Sequence, residues 1–81
     1  MRVRVRLFAS LREAVGASAL DLDLPDGATA GAAWELLATA HPALVPRRGS
    51  LAAAVNRRYA PFDAPLSEGD EVVFIPPVSG G

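Results

Sequence analysis

Val72-Val73-Phe74-Ile75 is an unbroken run of β-branched and aromatic apolar residues, followed at once by Pro76-Pro77. A run of this kind reads as a buried strand. Such a strand takes a central position in a sheet, with neighbours on both edges. The two prolines fix φ and donate no ladder hydrogen bonds, so the strand ends there and the chain leaves along a stiff, extended path. Extended, residues 76–81 reach on the order of 20 Å from the domain. Gly80 and Gly81 carry no Cβ and fit a channel too narrow for any other residue. The expectation is a folded domain over 1–75 and a flexible functional tail over 76–81, with the carboxylate of Gly81 as its working group.

The rest of the chain supplies the neighbours. In residues 2–8, Val3, Val5 and Leu7 alternate with Arg2, Arg4 and Arg6, the period of a strand with one wet face. Residues 19–24 repeat the pattern, with Leu20, Leu22 and Leu24 inward and Asp21 and Asp23 outward. Paired as an antiparallel hairpin, these strands lay an arginine stripe beside two aspartates on a solvated face. Between them, Ser10 to Val15 has room for a short helical turn, with Ser10 as N-cap and Gly16 as its stop. Pro25-Asp26-Gly27 is a turn signal. From the N-cap Thr29 to His41 the pattern is helical, with Ala33, Leu36, Leu37 and Ala40 as the apolar stripe. That register places Trp34 at the core boundary and predicts a helix end at or before His41, ahead of Pro42. Gly31 should weaken the first turn by about 1 kcal/mol relative to alanine.

Residues 43–50 read as a loop. Leu51 to Val55 reads as a short strand despite its alanines, because it is brief and a turn at Asn56-Arg57-Arg58 follows. Tyr59 to Phe62 holds one more short strand, interrupted by Pro61. Ser67-Glu68-Gly69-Asp70 is a tight turn into the final strand. One main helix on one face of a small mixed sheet is an α+β architecture. With the apolar last strand beside and parallel to the first, it becomes a β-grasp, ubiquitin-like sheet.

The composition excludes much chemistry. The 81 residues contain no cysteine, so disulfides, thiolate metal sites, iron–sulfur clusters and thiol catalysis are out of reach. The one histidine, His41, sits at a helix end, and no metal site or catalytic triad can be assembled around it. All eight basic residues are arginine, which removes Schiff-base chemistry and lysine-linked modification of this chain. A net charge of -1 argues against nucleic acid as the main partner. No run approaches the roughly 18 apolar residues of a membrane span, and nothing reads as a targeting segment, so the cytoplasm is the expected location.

Leu7-Phe8-Ala9, Leu11-Arg12-Glu13, Ala53-Ala54-Val55-Asn56 and the stretch Leu66-Ser67-Glu68-Gly69-Asp70-Glu71-Val72 carry a further likeness. Together with the ending Phe74-Ile75-Pro76-Pro77-Val78-Ser79-Gly80-Gly81, the chain resembles the small subunit of molybdopterin synthase, a family of ubiquitin-like sulfur carriers. The likeness covers essentially the whole chain, although the Ala-rich central helix with Gly31 and Trp34 departs from it. The resemblance implies that an ATP-dependent, ubiquitin-activating-enzyme-like adenylyltransferase forms a transient acyl-adenylate at Gly81. A persulfide sulfur donor then displaces AMP and leaves a thiocarboxylate. The tail next enters the large subunit, where the sulfur reaches cyclic pyranopterin monophosphate to build the molybdopterin dithiolene. It also implies a heterotetramer of two small and two large subunits, no cofactor bound to this chain, and catalytic groups in the partner.

A carrier of that kind needs a dock. Phe8 has the opposite parity to Leu7 and points away from the core, at the end of the sheet where the last strand leaves. Ile75 is the outward member of the Phe74–Ile75 pair in the family pattern, and Tyr59 is a third candidate. Phe8, Tyr59, Ile75, Pro76, Pro77, Val78 and Ser79 are therefore the expected partner-binding residues, with Gly80 and Gly81 at the reacting end. Arg57 and Arg58 read as a solvated turn. Related readings are a thiocarboxylate carrier for thiamine, cysteine or tRNA thiolation, and a ubiquitin-like protein modifier.

Overall fold

The computed structural model describes residues 1–77; Val78, Ser79, Gly80 and Gly81, four of the expected site residues, lie outside the described residues. Five strands form one sheet: β1 (Arg2–Leu7), β2 (Ala19–Asp23), β3 (Ala52–Val55), β4 (Arg58–Ala60) and β5 (Glu71–Ile75). Their spatial order is β2-β1-β5-β3-β4, which puts the apolar strand in the middle. β5 runs parallel to β1, with Leu7 opposite Phe74, and antiparallel to β3, with Ala53 opposite Phe74. β1 and β2 form the expected hairpin, Arg2 opposite Asp23 and Arg4 opposite Asp21.

One face of the sheet is closed by α2 (Ala30–Ala40). Val3, Val5, Leu7, Val72 and Phe74 point into this core and are essentially solvent-free. Thr29 caps the helix, its hydroxyl accepting from the Ala32 N–H at 3.1 Å. The buried stripe is Ala30, Ala33, Trp34, Leu37 and Ala38, so it is turned relative to the stripe expected from sequence. Leu36 is 43% exposed and Trp34 only 1% exposed. Trp34 is therefore central to the core, packed edge-on against Phe74 with ring centroids 5.1 Å apart. The helix is apolar on nearly every side, so its periodicity was a weak guide to which face turns inward. Gly31 has a packing reason. Its N–H donates to the Phe62 carbonyl at 2.7 Å, and a Cβ there would stand 3.1 Å from that same oxygen.

Two local expectations are corrected. The short helix α1 (Ala9–Val15) is capped two residues earlier than expected: Phe8 is its N-cap, without a side-chain cap. Ser10 lies inside the helix and its hydroxyl accepts from Arg47 Nη1 at 2.9 Å instead. Gly16 ends the helix in the left-handed region, as its position suggested. Residues 43–50 are not irregular, because successive 3-10 turns span Pro42–Ser50. Pro46 inside the segment blocks an α-helical ladder, and buried Leu44 pins the turns to the core.

The end of the sheet where β5 begins is locked by polar contacts. Asn56 and Arg57, at φ 51° and 71°, form the two-residue turn between β3 and β4. The Asn56 side chain accepts from the Glu71 N–H at 2.9 Å and donates to Asp70 Oδ1 at 2.8 Å. Asp70 Oδ2 in turn accepts from the Ser67 N–H at 2.8 Å, closing the acidic turn. This ties β5 at one end and leaves the other, at Ile75, as the point of exit.

Candidate functional site

Directly opposed residues in a sheet share a face, so the register defines what the uncovered face presents. From β2 and β1 it carries Asp21, Asp23, Arg2, Arg4 and Arg6; from β5, β3 and β4 it carries Glu71, Val73, Ile75, Ala52, Ala54 and Tyr59. The first half is a ladder of ion pairs. Arg2 Nε meets Asp23 Oδ1 at 3.0 Å, Arg4 Nε meets Asp21 Oδ1 at 3.2 Å, and Arg6 Nη1 meets Glu71 Oε2 at 3.5 Å. The hydrogen bond and charge of Arg2 hold the Asp23 carboxyl below its usual range, and Asp23 raises Arg2 reciprocally.

The second half is apolar and open. Tyr59 stands 80% exposed opposite Ala54, which is itself opposite Val73. Phe8 follows Leu7 as Ile75 follows Phe74, so both lie where β1 and β5 end; Phe8 is 49% exposed. The three anchors expected from sequence thus share the open face without forming one tight cluster. Ala52, Ala54 and Val73 lie between Ile75 and Tyr59 as a flat floor. Sequence reasoning missed this floor, although Val73 shares the parity of Ile75 and was readable from it. Where β3 begins and β4 ends, the strands part around a hollow of about 390 Å³, lined by Leu51, Ala52, Tyr59, Pro61 and Phe62 among others. Arg48 lies over the Phe62 ring, 3.5 Å from its centroid.

Pro76 and Pro77 leave β5 beside a second groove, of about 210 Å³, bounded by α1 and the 3-10 segment. Its other walls are Ser10, Leu11, Arg47, Ser50 and Leu51. Nothing in the sequence pattern joined Arg47 to Ser10; the contact depends on how the 3-10 segment packs on α1. Among the described residues, no group of three or more His, Cys, Asp or Glu is placed to hold a metal ion. Also among the described residues, no helix is long and apolar enough to cross a membrane.

A five-stranded mixed sheet with a parallel central pair, one long helix across one face and an exit at the end of the central strand is the ubiquitin-like β-grasp. Small archaeal modifier protein 1 from Haloferax volcanii superimposes with a TM-score of 0.89 at 34% identity, over 100% of both chains. Two more distant structures share the fold. The complex of subunits 1 and 2 of molybdopterin-converting factor from Helicobacter pylori gives 0.69 at 23% identity, covering 100% of both chains. A ubiquitin from Caldiarchaeum subterraneum gives 0.66 at 21%, covering 100% of this chain and 98% of that one. Residues 5–81 match the ThiS family, and the chain belongs to it. Over 81 residues it is 42% identical to the molybdopterin synthase sulfur carrier subunit of Escherichia coli, covering 98% of this chain and 99% of that protein.

Proposed function

We propose that this chain is the sulfur carrier subunit of a molybdopterin synthase, and that its C-terminal glycine carries the sulfur. The observation behind this reading is the 42% identity with such a subunit across nearly the full length of both chains. The fold suits the role, since a rigid sheet delivers the chain to Pro76 and Pro77 at one end and locks it at the other. A Gly81 carboxylate oxygen attacks the α-phosphorus of ATP on an activating enzyme, and pyrophosphate leaves. The resulting mixed anhydride turns a poor electrophile into a good one. A persulfide sulfur then attacks the acyl carbon, AMP leaves, and thiol cleavage of the S–S bond yields the thiocarboxylate. The thiocarboxylate sulfur is delivered to cyclic pyranopterin monophosphate inside a large subunit, and two such transfers complete the dithiolene. General acids and bases for these steps belong to the partners, as no catalytic constellation is present among the described residues.

The apolar half of the open face is the dock for the large subunit in this reading. Phe8, Ile75 and Tyr59 are the anchors, over the floor of Val73, Ala52 and Ala54. Contiguous exposed apolar surface beside a functional tail is the kind of patch that partners cover. The Helicobacter pylori structure that shares this fold is a complex of two subunits, which supports a partner on this fold.

The test is the intact mass of the protein purified from cells with an active cofactor pathway, beside a form lacking Gly81. Replacement of one oxygen by sulfur, seen only when Gly81 is present, is the expected result. An unmodified carboxylate in the presence of ATP, activating enzyme and sulfur donor would overturn the carrier reading. The likeness to an archaeal modifier protein supports a second reading, in which the same activated glycine is joined to lysines of other proteins. That reading predicts a ladder of isopeptide conjugates in place of a free thiocarboxylate.

A further inference from the structure

The groove bounded by α1 and the 3-10 segment holds a charge that no carboxylate among the described residues answers. Arg2, Arg4 and Arg6 each meet a carboxylate; among the described residues Arg47 meets none. Arg47 is also the one charged residue in the groove's lining. The groove adjoins the dock proposed above along both strands that reach it. Ser10 comes two residues after Phe8, and Pro76 comes directly after Ile75. A partner that covers Phe8 and Ile75 therefore brings its own rim to this groove. We infer that the groove receives an acidic side chain of the large subunit, with its carboxylate paired to the Arg47 guanidinium. This occupant follows only on the carrier reading, to which it adds where the partner's negative charge must stand.

Three features suit a carboxylate on a short apolar stem. The first is a guanidinium held in place beforehand. Arg47 Nη1 donates to the Ser10 hydroxyl at 2.9 Å. Beneath it, the Ser50 hydroxyl donates to the Arg47 carbonyl at 3.4 Å, and buried Leu44 pins the same segment to the core. Holding the side chain in advance lowers the entropy lost when an anion binds. The second is the supply of donors. The guanidinium carries further N–H groups for a forked contact, and the Ser10 oxygen, while accepting from Arg47, keeps its own O–H to donate to the same carboxylate. The third is the shape. Leu51, Pro76 and Pro77 are apolar walls, which suit the methylenes of a glutamate better than a bare inorganic anion. At about 210 Å³ the groove has room for a side chain and not for a helix. It is half-enclosed, so a charge pair inside it is screened less than one on open surface.

The test measures the affinity of the full chain for its large subunit by calorimetry, at about 0.1 M and about 1 M salt. At the lower salt, Arg47→Gln should weaken binding about tenfold. Ser10→Ala removes the positioning hydrogen bond but keeps the charge, and should cost only about twofold. Arg4→Gln changes the net charge equally, away from the groove, and should also cost less than about twofold. At the higher salt the loss on Arg47→Gln should shrink to about threefold, as an ion pair requires. A further measurement needs no variant: exchange of the Arg47 Nε–H with water, followed by NMR, should slow when the large subunit is added. Three results would each overturn the inference and leave the carrier reading standing. They are an Arg47→Gln affinity equal to that of the wild type, a loss no larger than that of Ser10→Ala or Arg4→Gln, and an Nε–H exchange rate that the large subunit does not change. A wild-type chain that does not bind the large subunit at all would instead overturn the carrier reading, and this occupant with it.

Discussion

The open face of the sheet is two surfaces built on one backbone. Across β2 and β1, Arg2, Arg4 and Arg6 each meet a carboxylate within 3.5 Å. Their charges are answered within the chain, so this half makes little electrostatic demand on a partner. Exposed pairs of this sort stabilise by only about 0–1 kcal/mol each, but they fix register, because a one-residue slip would turn the arginines into the core. Across β5, β3 and β4 the open face presents the half-buried Val73, Ile75 and Ala52 beside the exposed Tyr59, and none of them has a charged partner among the described residues. The same period-2 geometry thus gives one half whose charges pair within the chain and another that is apolar, the half proposed above as the dock.

The sharpest way to break this division is to exchange the character of the two halves. Ile75→Asp puts a charge in the centre of the apolar half beside the tail's root. It should weaken the complex with a large subunit by about 30-fold or more, the loss of a central anchor of about 2 kcal/mol. Phe8→Ala, at the rim, should cost about tenfold. Arg4→Glu in the charged half should change the affinity by less than about threefold. Titration calorimetry reads the affinities, and an unchanged near-ultraviolet spectrum shows that the fold survives. Arg4→Glu weakening the complex more than Ile75→Asp would reverse the assignment of the two halves.

Much of this division was legible in the sequence because strands report their faces directly. Arg2 to Leu7 and Ala19 to Asp23 alternate cleanly, and the unbroken run from Val72 to Ile75 placed β5 in the centre. Phe8 is exposed, as its parity suggested. The helix was harder: Ala30, Ala33 and Ala38 carry little hydrophobic signal, so the pattern put Trp34 at the core boundary. Its burial follows from the volume between α2 and Phe74, a tertiary quantity that periodicity does not encode. The Arg47–Ser10 contact was likewise hidden, being set by 3-10 turns around Pro46 that local propensity leaves as a loop. Hairpin chemistry was partly visible, in that Asn56 suits a left-handed turn position and Arg57 does not.

Arg57 provides a smaller, sharper test at the outer edge of the apolar half. At φ 71° it occupies a position that glycine adopts without steric cost. Arg57→Gly should stabilise the domain by about 0.5 kcal/mol after the extra unfolded-chain entropy of glycine is subtracted. For a domain of this size that is roughly 2–4 °C in Tm. Affinity for the large subunit should stay constant, since the turn only carries Tyr59 and adds no contact of its own. A lowered Tm would mean that the Arg57 side chain itself supports β4.

The smallest effect distinguishes the halves by pH. Because Arg2 lowers the Asp23 carboxyl in the folded chain, folding favours the ionised form. The contribution is therefore fully present above the unfolded value near 3.8 and is lost as pH falls through the lower folded value. Asp23→Asn removes that dependence. The Tm of the wild type should exceed that of Asp23→Asn by a small, constant margin at neutral and mildly acidic pH, and the margin should close as the solution is taken below the ordinary carboxylate range. Both side chains are well exposed, so high salt should shrink the margin at neutral pH as well. A margin that widens on acidification would mean that Asp23 is held in its protonated form by the fold, contrary to the pairing seen with Arg2. Affinity for a partner docked on the apolar half should not follow this titration at all, because Asp23 lies on β2, two strands away from β5. An affinity that falls in step with Asp23 protonation would place the partner across both halves of the face.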